Sequence, residues 1–168
     1  LKLFNEKGTS EVSTNHICEA LSISPGNLYY HFRSKDEIIL ALFEEMIQHW
    51  DKLPALTQFT YEQFLGAFER LPGFLWQYRF LHREISSLYH RIEKFRINFK
   101  EIQKRRLEEI SSILESSTSL GILRPMTKKE IQMLSKSLWY FSLYSLTFIE
   151  MQGQKVSRKA IAEFMVLV

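Results

Sequence analysis

The spacing of the apolar residues constrains the fold of this chain more than any other feature. Apolar residues recur every three or four positions along most of the sequence. Stretches that alternate apolar and polar residues, as a half-buried β-strand requires, are almost absent. The 168 residues include only six Gly and four Pro, so few positions interrupt a helix. We therefore predict an all-α protein.

Capping residues and helix breakers divide this pattern into individual helices. Ser24-Pro25 is typical of a helix start, because proline at the first helical position lacks an N–H that would have no partner anyway. Ser34 and Glu37 form a capping box, and Thr60 and Thr127 begin two more. The helix ends are expected at Pro54, Pro72-Gly73, Gly121 and Gly153. These signals predict helices over 14–21, 25–32, 35–52, 61–71, 74–89, 91–118, 128–151 and 157–167.

The predicted helices fall into two groups. Residues 1–50 hold short helices joined by tight turns, and residues 51–168 hold long helices rich in aromatic residues. The segment from Leu1 to Glu6, which ends at Gly8, is typical of the last turns of a longer helix. We therefore expect a small domain over 1–50 with a truncated first helix, followed by a larger helical domain over 51–168.

Residues 13–32 read STNHICEALSISPGNLYYHF and contain two short helices separated by a tight turn. The apolar residues expected to pack these helices together are Ile17, Ala20, Leu21, Ile23, Leu28 and Phe32. Two short helices with an apolar residue in the turn are typical of a helix-turn-helix, in which the second helix reads DNA. The same geometry also occurs as plain packing, and Tyr29 and Phe32 would then simply be core residues.

The second of these helices carries side chains suited to DNA. Gly26 allows close approach of the backbone, Asn27 can form two hydrogen bonds to a base edge, and tyrosine and histidine can donate to phosphates. The helix N-terminus also offers amides without intrahelical partners to a phosphate. The predicted DNA contacts are Ser13, Thr14, Asn15, Ser24, Pro25, Gly26, Asn27, Tyr29, Tyr30, His31 and Lys35.

The string ISPGNLYYHF at residues 23–32 and the SKDEI that follows at 34–38 form one continuous pattern. This pattern resembles the DNA-binding signature of TetR-family transcriptional regulators, and the resemblance is strong over residues 3–42. It implies that the exposed residues of the helix-turn-helix face the major groove. It also implies that Tyr29 and Lys35 contact phosphates.

Two features depart from that family. Leu21-Ser22 stands where the family usually has Ala-Gly, and a positive φ at this position would strain Ser22. Residues 1–50 also carry four Lys or Arg against seven Asp or Glu, a net charge of −3. The whole chain has a net charge of +3, but this small excess is no argument for DNA binding. The prediction therefore depends on the motif.

Aromatic residues are concentrated between Phe59 and Phe99 in the larger domain. Such rings can fill a core, but rings on offset helices also pack imperfectly and leave apolar cavities. The family resemblance implies an effector pocket in this region. The candidate residues for a small hydrophobic or amphipathic effector are Phe64, Phe68, Trp76, Arg79, Phe80, His82, Arg83, Tyr89 and Trp139.

The helix at 128–151 is apolar on nearly all sides from Leu138 to Ile149, so two of its sides must be covered. A second subunit is the natural cover for one side, and a central core helix in a monomer is the alternative. A homodimer would present two recognition helices to a palindromic operator. The candidate interface residues are Leu138, Phe141, Leu143, Ser145, Phe148 and Phe164.

Other functional classes find little support. The sequence has no Ser-His-Asp arrangement with supporting turns, no glycine-rich phosphate loop and no H-E-x-x-H motif. Cys18 is the single cysteine, which excludes a disulfide scaffold and a zinc site built on several thiolates. No apolar run is long enough to span a membrane and no leader is visible, so we expect a cytoplasmic protein.

We therefore predict a ligand-responsive repressor that binds double-stranded operator DNA as a homodimer. It is expected to be neither an enzyme nor a membrane protein, and to need no cofactor or metal. The alternative is a helical protein that binds hydrophobic ligands without DNA activity.

Overall fold

A computed structural model describes residues 1–51 and 70–166, with side chains described as far as residue 164. Within these ranges every regular element is a helix, which confirms the all-α prediction. Residues 70–77 are helical as well. The helices with defined limits are α1 (Lys2–Glu11), α2 (Thr14–Leu21), α3 (Pro25–His31), α4 (Lys35–Asp51), α5 (Arg79–Arg91), α6 (Glu93–Ser119), α7 (Lys128–Met151) and α8 (Arg158–Val166).

The chain divides into two compact units. The first, called here the N-terminal unit, contains Leu1–Leu53 and Tyr78–Arg96, and the C-terminal unit contains Pro54–Gln77 and Ile97–Val168. The N-terminal unit therefore includes α5 and the first turn of α6 in addition to α1–α4. The functional domain boundary near residue 50 stays a prediction, because a compact unit is not by itself a functional domain.

The N-terminal unit is built around the packing of α1 against α5. Phe4 and Phe80 are 2% and 1% exposed, and their ring centroids lie 5.3 Å apart. The buried Asn5 accepts a hydrogen bond from the Phe80 N–H at 3.1 Å, which caps an amide in the first turn of α5. Phe43 of α4 packs on Phe95 of α6 with centroids 4.4 Å apart. Helix α5 thus completes the core beneath the short N-terminal helices.

Gly8 interrupts α1 with a φ of 80° and a ψ of 166°, as its predicted role of helix end requires, and one further helical turn follows. The kink releases the Thr9 N–H, which donates to Glu84 Oε1 at 2.7 Å, and the Thr9 hydroxyl donates to Glu84 Oε2. The Thr9 carbonyl accepts from Lys35 Nζ at 2.5 Å. Helices α1, α4 and α5 are therefore joined through one residue.

Several predicted helix limits are confirmed. Ser24 caps α3 and Thr127 begins a capping box at the start of α7. Gly121 and Gly153, with φ values of 71° and 73°, follow the ends of α6 and α7. These limits depend on local side-chain and backbone chemistry, which the sequence displays directly. The helix predicted over 61–71 lies mostly outside the described residues.

The predicted helix end at Pro72-Gly73 is wrong, because residues 70–77 form a continuous helical segment. The break falls instead at Tyr78, which has a φ of −108° and a ψ of 29°. Tyr78 is only 1% exposed, and its hydroxyl donates to Glu45 Oε1 at 3.0 Å. A buried tyrosine needs a partner for its hydroxyl. The helix therefore breaks at a residue that makes a contact with a distant part of the chain. No glycine or proline stands at this position to indicate the break in the sequence.

Removal of the Tyr78 hydroxyl is expected to destabilise the protein. Tyr78→Phe should lower the free energy of unfolding by about 2 kcal/mol near neutral pH, because a carboxylate loses a charge-assisted hydrogen bond. Burial, together with the contact to Glu45, raises the pKa of Tyr78 to about 12. The phenol of an unfolded chain ionises near pH 10, so the stability of the wild type should fall as the pH rises from 10 to about 12.

Denaturant unfolding of both proteins at pH 8 and pH 11 measures this effect. The difference in stability between wild type and Tyr78→Phe should shrink at pH 11, because the variant has no phenol to ionise at this position. A difference of the same size at both pH values would contradict the assigned hydrogen bond.

The core of the C-terminal unit is formed by the 70–77 segment, α7 and α8. One cluster of buried residues in this core consists of Leu75, Leu146, Ile149, Val156 and Ile161. Helix α6 is joined to α7 by a hydrogen bond of 2.9 Å between the hydroxyls of Ser111 and the buried Ser135. None of the helices in the described ranges has the length and apolar character needed to cross a bilayer.

Candidate nucleic-acid interface

Helices α2 and α3 form the predicted helix-turn-helix. Ile17, Cys18 and Leu28 are between 5% and 8% exposed and attach the two helices to the core of the N-terminal unit. The assignment of Ala20 and Leu21 to the packed face is wrong, since Ala20 is exposed and Leu21 is 62% exposed. The left-handed turn begins directly after Leu21 and leaves this side chain in solvent.

Ser22 shapes the turn between α2 and α3. It has a φ of 53° and a ψ of 42°, and its N–H donates to the carbonyls of Cys18 and Glu19. No other non-glycine residue in the described part of the chain has a positive φ. The positive φ implied by the family pattern is thus confirmed, and a serine occupies a position that favours glycine.

Ser22→Gly is expected to raise the free energy of unfolding by about 0.5–1 kcal/mol. Left-handed geometry costs a non-glycine residue about 1–2 kcal/mol, and the greater freedom of glycine in the unfolded chain offsets part of that gain. Denaturant unfolding measures the change. A matched control is Ser86→Gly, at an exposed position within α5, which should cost about 0.5 kcal/mol. Destabilisation of similar size in both variants would show that Ser22 is not strained.

The predicted DNA contacts on α3 are all exposed. Tyr30 is 83% exposed, and its ring meets His31 edge-on with centroids 5.0 Å apart. Tyr29 is 50% exposed, which overturns the alternative that it is a core residue. A Cβ added at Gly26 would meet nothing closer than the Ser24 hydroxyl at 3.9 Å, so the surface there is open. The other exposed positions of this face are Pro25 and Asn27.

The start of α2 lies beside α3. The hydroxyls of Thr14 and Tyr29 are 3.2 Å apart and share a hydrogen bond. Ser13 caps α2 by accepting from the His16 N–H at 3.2 Å, and the Ser13 N–H donates to His16 Nδ1 at 3.3 Å. This capping box uses an imidazole in place of the usual carboxylate, and the sequence analysis missed it. Asn15 is exposed beside it.

Lys35 has a structural contact that the sequence did not predict. Its side chain is half-buried, and Nζ donates to the carbonyl of Thr9. An ammonium group carries three donors, and this contact uses one of them. Contact between Lys35 and a phosphate remains a prediction, but the residue also holds the start of α4 against α1.

The predicted effector residues are divided between the two units. Arg79, Phe80, His82, Arg83 and Tyr89 belong to the N-terminal unit, Trp76 and Trp139 belong to the C-terminal unit, and Phe64 and Phe68 lie outside the described residues. Phe80 is 1% exposed and packs on Phe4 in the core, and its place in an effector pocket stays a prediction. Trp139 lies 6.2 Å from Phe99 between ring centroids. Its buried Nε1 has no hydrogen-bond partner among the described residues.

Helix α7 presents a stripe of large apolar side chains to solvent. The stripe residues are between 48% and 82% exposed and recur at helical spacing: Met133, Tyr140, Tyr144, Phe148 and Met151. We call this set the α7 stripe. The opposite side of the helix contributes Leu146 and Ile149 to the core.

The predicted dimer-interface residues fall on both sides of α7. Phe148 belongs to the α7 stripe, and its ring lies 5.2 Å from that of Phe164 on α8. Phe141 stacks on Phe164 at 4.8 Å, and Leu138 is half-buried. Leu143 and Ser145 are 6% and 1% exposed within the single chain, so they face its own core.

Comparisons with known proteins agree along the whole chain. A family model described as bacterial regulatory proteins of the tetR family matches residues 1–42, and the TetR model, described as a bacterial transcriptional repressor, matches residues 42–167. The crystal structure of a TetR-family transcriptional regulator from Marinobacter aquaeolei VT8 is similar, with a TM-score of 0.87 and 30% identity. The similarity covers 99% of this chain and 82% of that one.

More distant relatives agree with this result. GusR from Salmonella enterica has the same fold, with a TM-score of 0.59 and 16% identity over 99% of this chain and 87% of its own. The HTH-type transcriptional regulator UidR of Escherichia coli is 44% identical over 41 residues, which span 24% of this chain and 21% of that regulator. The matched segment is thus about a fifth of this curated relative. The chain belongs to the TetR family of DNA-binding transcriptional regulators.

Proposed function

We propose that the protein is a ligand-responsive repressor that binds a palindromic operator as a homodimer. The observation that carries the DNA-binding part is the exposed face of α3, with Tyr30 at 83% exposure. A large aromatic side chain held in solvent on a helix-turn-helix contributes little to the fold, but it is well placed to contact bases and sugars. The repressor role is supported by the description of the family model that matches residues 42–167.

Four further positions of the helix-turn-helix have a chemical role in this proposal. Asn27 lies in the first turn of α3 and would read a base edge in the major groove. Tyr29 and Thr14 share a hydrogen bond, so their hydroxyls can approach one phosphate together. Gly26 leaves space for the DNA backbone beside the N-terminus of α3.

The α7 stripe supports the homodimer. A contiguous exposed row of tyrosine, phenylalanine and methionine side chains is unusual for a monomer and typical of an interface. A two-fold axis through the stripe would place the same residues of both copies in contact and cover them. The two α3 helices would then read half-sites about one DNA turn apart.

The effector would bind in the C-terminal unit. The indole N–H of Trp139 has no hydrogen-bond partner among the described residues and lies close to Phe99, which suits an apolar ligand that carries one hydrogen-bond acceptor. Such a ligand would lower operator affinity only if it bound the DNA-bound and unbound conformations with different affinities. Because the proposed partner is DNA, the proposed site of action is the cytoplasm.

Selection of bound sequences from a random duplex library tests the proposal. The protein should enrich one motif with two-fold symmetry and two equal half-sites. Absence of any enriched motif would contradict DNA recognition and favour a helical protein that binds hydrophobic ligands. An enriched motif without symmetry would contradict the homodimer but not DNA recognition.

A further inference from the structure

The helices that carry the DNA-binding face have an unfavourable charge. Residues 1–50 have a net charge of −3. Asp36 and Glu37 lie in the first turn of α4, immediately after α3. DNA carries one phosphate charge about every 1.7 Å of helix axis, so these carboxylates would oppose binding. Positive charge elsewhere in the N-terminal unit could compensate for them.

The second segment of the N-terminal unit supplies positive charge. Residues 78–96 contain five Arg or Lys against two Asp or Glu. Both acids have partners, since Glu84 accepts from Thr9 and Glu93 is paired with Arg96 at 3.4 Å. The other exposed positions of α5 and the first turn of α6 form what we call the junction stripe: Arg83, Ser86, Ser87, His90, Arg91 and Lys94.

An ion pair places one end of the junction stripe beside the DNA-binding face. Arg91 Nη1 lies 2.5 Å from Asp36 Oδ1, and both side chains remain about 40% exposed. Asp36 follows the end of α3 by only a few residues. The last turn of α5 therefore lies next to the junction of α3 and α4.

The position of the junction stripe fits the geometry of DNA. A recognition helix in the major groove, about 12 Å wide, has a sugar-phosphate backbone on each side. The edge of the unit beside the C-terminal end of α3 would therefore follow one of these backbones. Arg91 neutralises Asp36 at this edge. Lys94 extends the positive surface beyond it, and the exposed His90 adds a hydrogen-bonding side chain.

The helix dipole explains the basic residues at the end of α5 but not the presence of a lysine at position 94. His90 and Arg91 lie in the last turn of α5, where positive charge stabilises a helix in any protein. Lys94 lies in the first turn of α6, where the helix dipole disfavours a cation. The next residue, Phe95, is buried against Phe43, which fixes the orientation of this turn of α6. In that orientation the side chain of Lys94 is exposed.

We propose that Arg91 and Lys94, with His90 beside them, bind backbone phosphates that flank each half-site of the operator. This proposal rests on the proposed DNA binding. It assigns a nucleic-acid contact to α5 and α6, outside the helix-turn-helix. The ligand is the sugar-phosphate backbone, so these contacts contribute affinity and salt dependence without sequence preference.

The test compares Lys94→Gln with Lys129→Gln. Both lysines are exposed at the second position of a helix, and Lys129 lies in the C-terminal unit. Binding of the selected operator is measured by fluorescence anisotropy over a range of salt concentrations. Each lost phosphate contact should reduce the magnitude of the negative slope of log K against log salt by about 0.9, so the slope for a dimer of Lys94→Gln should be shallower by about 1.8. Lys129→Gln should keep the wild-type slope.

Arg91→Gln provides a second readout. It should weaken operator binding more than Lys94→Gln, because it also uncovers the carboxylate of Asp36. The double variant Asp36→Asn with Arg91→Gln should recover part of the loss. An equal loss in the single and double variants would contradict the compensating role of Arg91.

The outcomes separate this proposal from the proposed function. Selective wild-type binding with an unchanged slope in Lys94→Gln would overturn the phosphate contacts alone. Equal binding of selected and scrambled DNA by the wild type would overturn both proposals. An equal reduction in the magnitude of the salt slope in Lys94→Gln and Lys129→Gln would show that any lost surface charge has the same effect. That result would overturn the specific phosphate site.

Discussion

Tyr30→Ala is expected to weaken selective DNA binding strongly and leave the fold unchanged. The Tyr30 side chain is 83% exposed, so its removal takes almost no packing from the protein. Loss of a well-placed base contact costs about 1–3 kcal/mol in each half-site, which is about 5- to 150-fold in affinity per protomer. The salt dependence should stay close to that of the wild type, because base contacts release few counterions.

Leu120→Ala is the matched control for this substitution. Leu120 is 60% exposed at the end of α6, outside the helix-turn-helix and the α7 stripe. Anisotropy on operator and scrambled DNA, together with thermal unfolding, gives both readouts for each variant. Retention of selectivity in Tyr30→Ala, or an equal loss in Leu120→Ala, would contradict the assignment of α3 as the recognition helix.

Tyr144→Glu is expected to separate the homodimer into monomers. Tyr144 lies in the middle of the α7 stripe and is 48% exposed in the single chain, so a glutamate there is tolerated by the fold. Across a two-fold axis the charge enters the interface twice. A central aromatic anchor is worth about 2 kcal/mol or more, so the dimer should weaken by about 4 kcal/mol, or about a thousandfold.

Sedimentation velocity measures this change over a range of protein concentrations. The control is Gln132→Glu, which adds the same charge at an exposed position of α7 outside the stripe. Operator affinity of Tyr144→Glu should fall together with dimerisation and recover at high protein concentration. A Tyr144→Glu variant that remains dimeric would place the interface elsewhere.

The parts of the fold that the sequence predicts are those set by local chemistry. The caps at Ser24 and Thr127 and the glycines at 121 and 153 act within a few residues of the helix ends that they define. The strained Ser22 could be predicted because a family pattern states which position of the turn needs a positive φ. The exposed face of α3 follows from the burial of Leu28 on its opposite side.

The parts that the sequence does not predict depend on distant contacts. Asn5 bonds to Phe80 and Thr9 bonds to Glu84, and each pair is 75 residues apart in the chain. These contacts bring α5 into the N-terminal unit, and no sequence feature near either partner predicts them. The same contacts bury Phe80 in the core of the N-terminal unit.

Long-range contacts also account for the other differences. The helix break at Tyr78 coincides with a buried hydrogen bond to Glu45, which local propensity does not reveal. The position of Lys35 at the start of α4 predicts a phosphate contact. Its hydrogen bond to the Thr9 carbonyl depends instead on the kink in α1, which the sequence does not relate to α4. The charge distribution also depends on long-range contacts. The net negative charge of residues 1–50 is balanced in part by basic residues of α5, which the sequence order alone does not place in the same unit.

We expect the exposed face of α3 to read DNA from a two-fold symmetric dimer. Fluorescence anisotropy with a labelled operator and its scrambled counterpart, at two salt concentrations, tests it most directly. We expect saturation at two protomers per operator, at least a thousandfold preference over scrambled DNA in the range typical of specific regulators, and a steep loss of affinity with salt. Equal and weak binding of both DNAs would contradict sequence-selective recognition of DNA by α3.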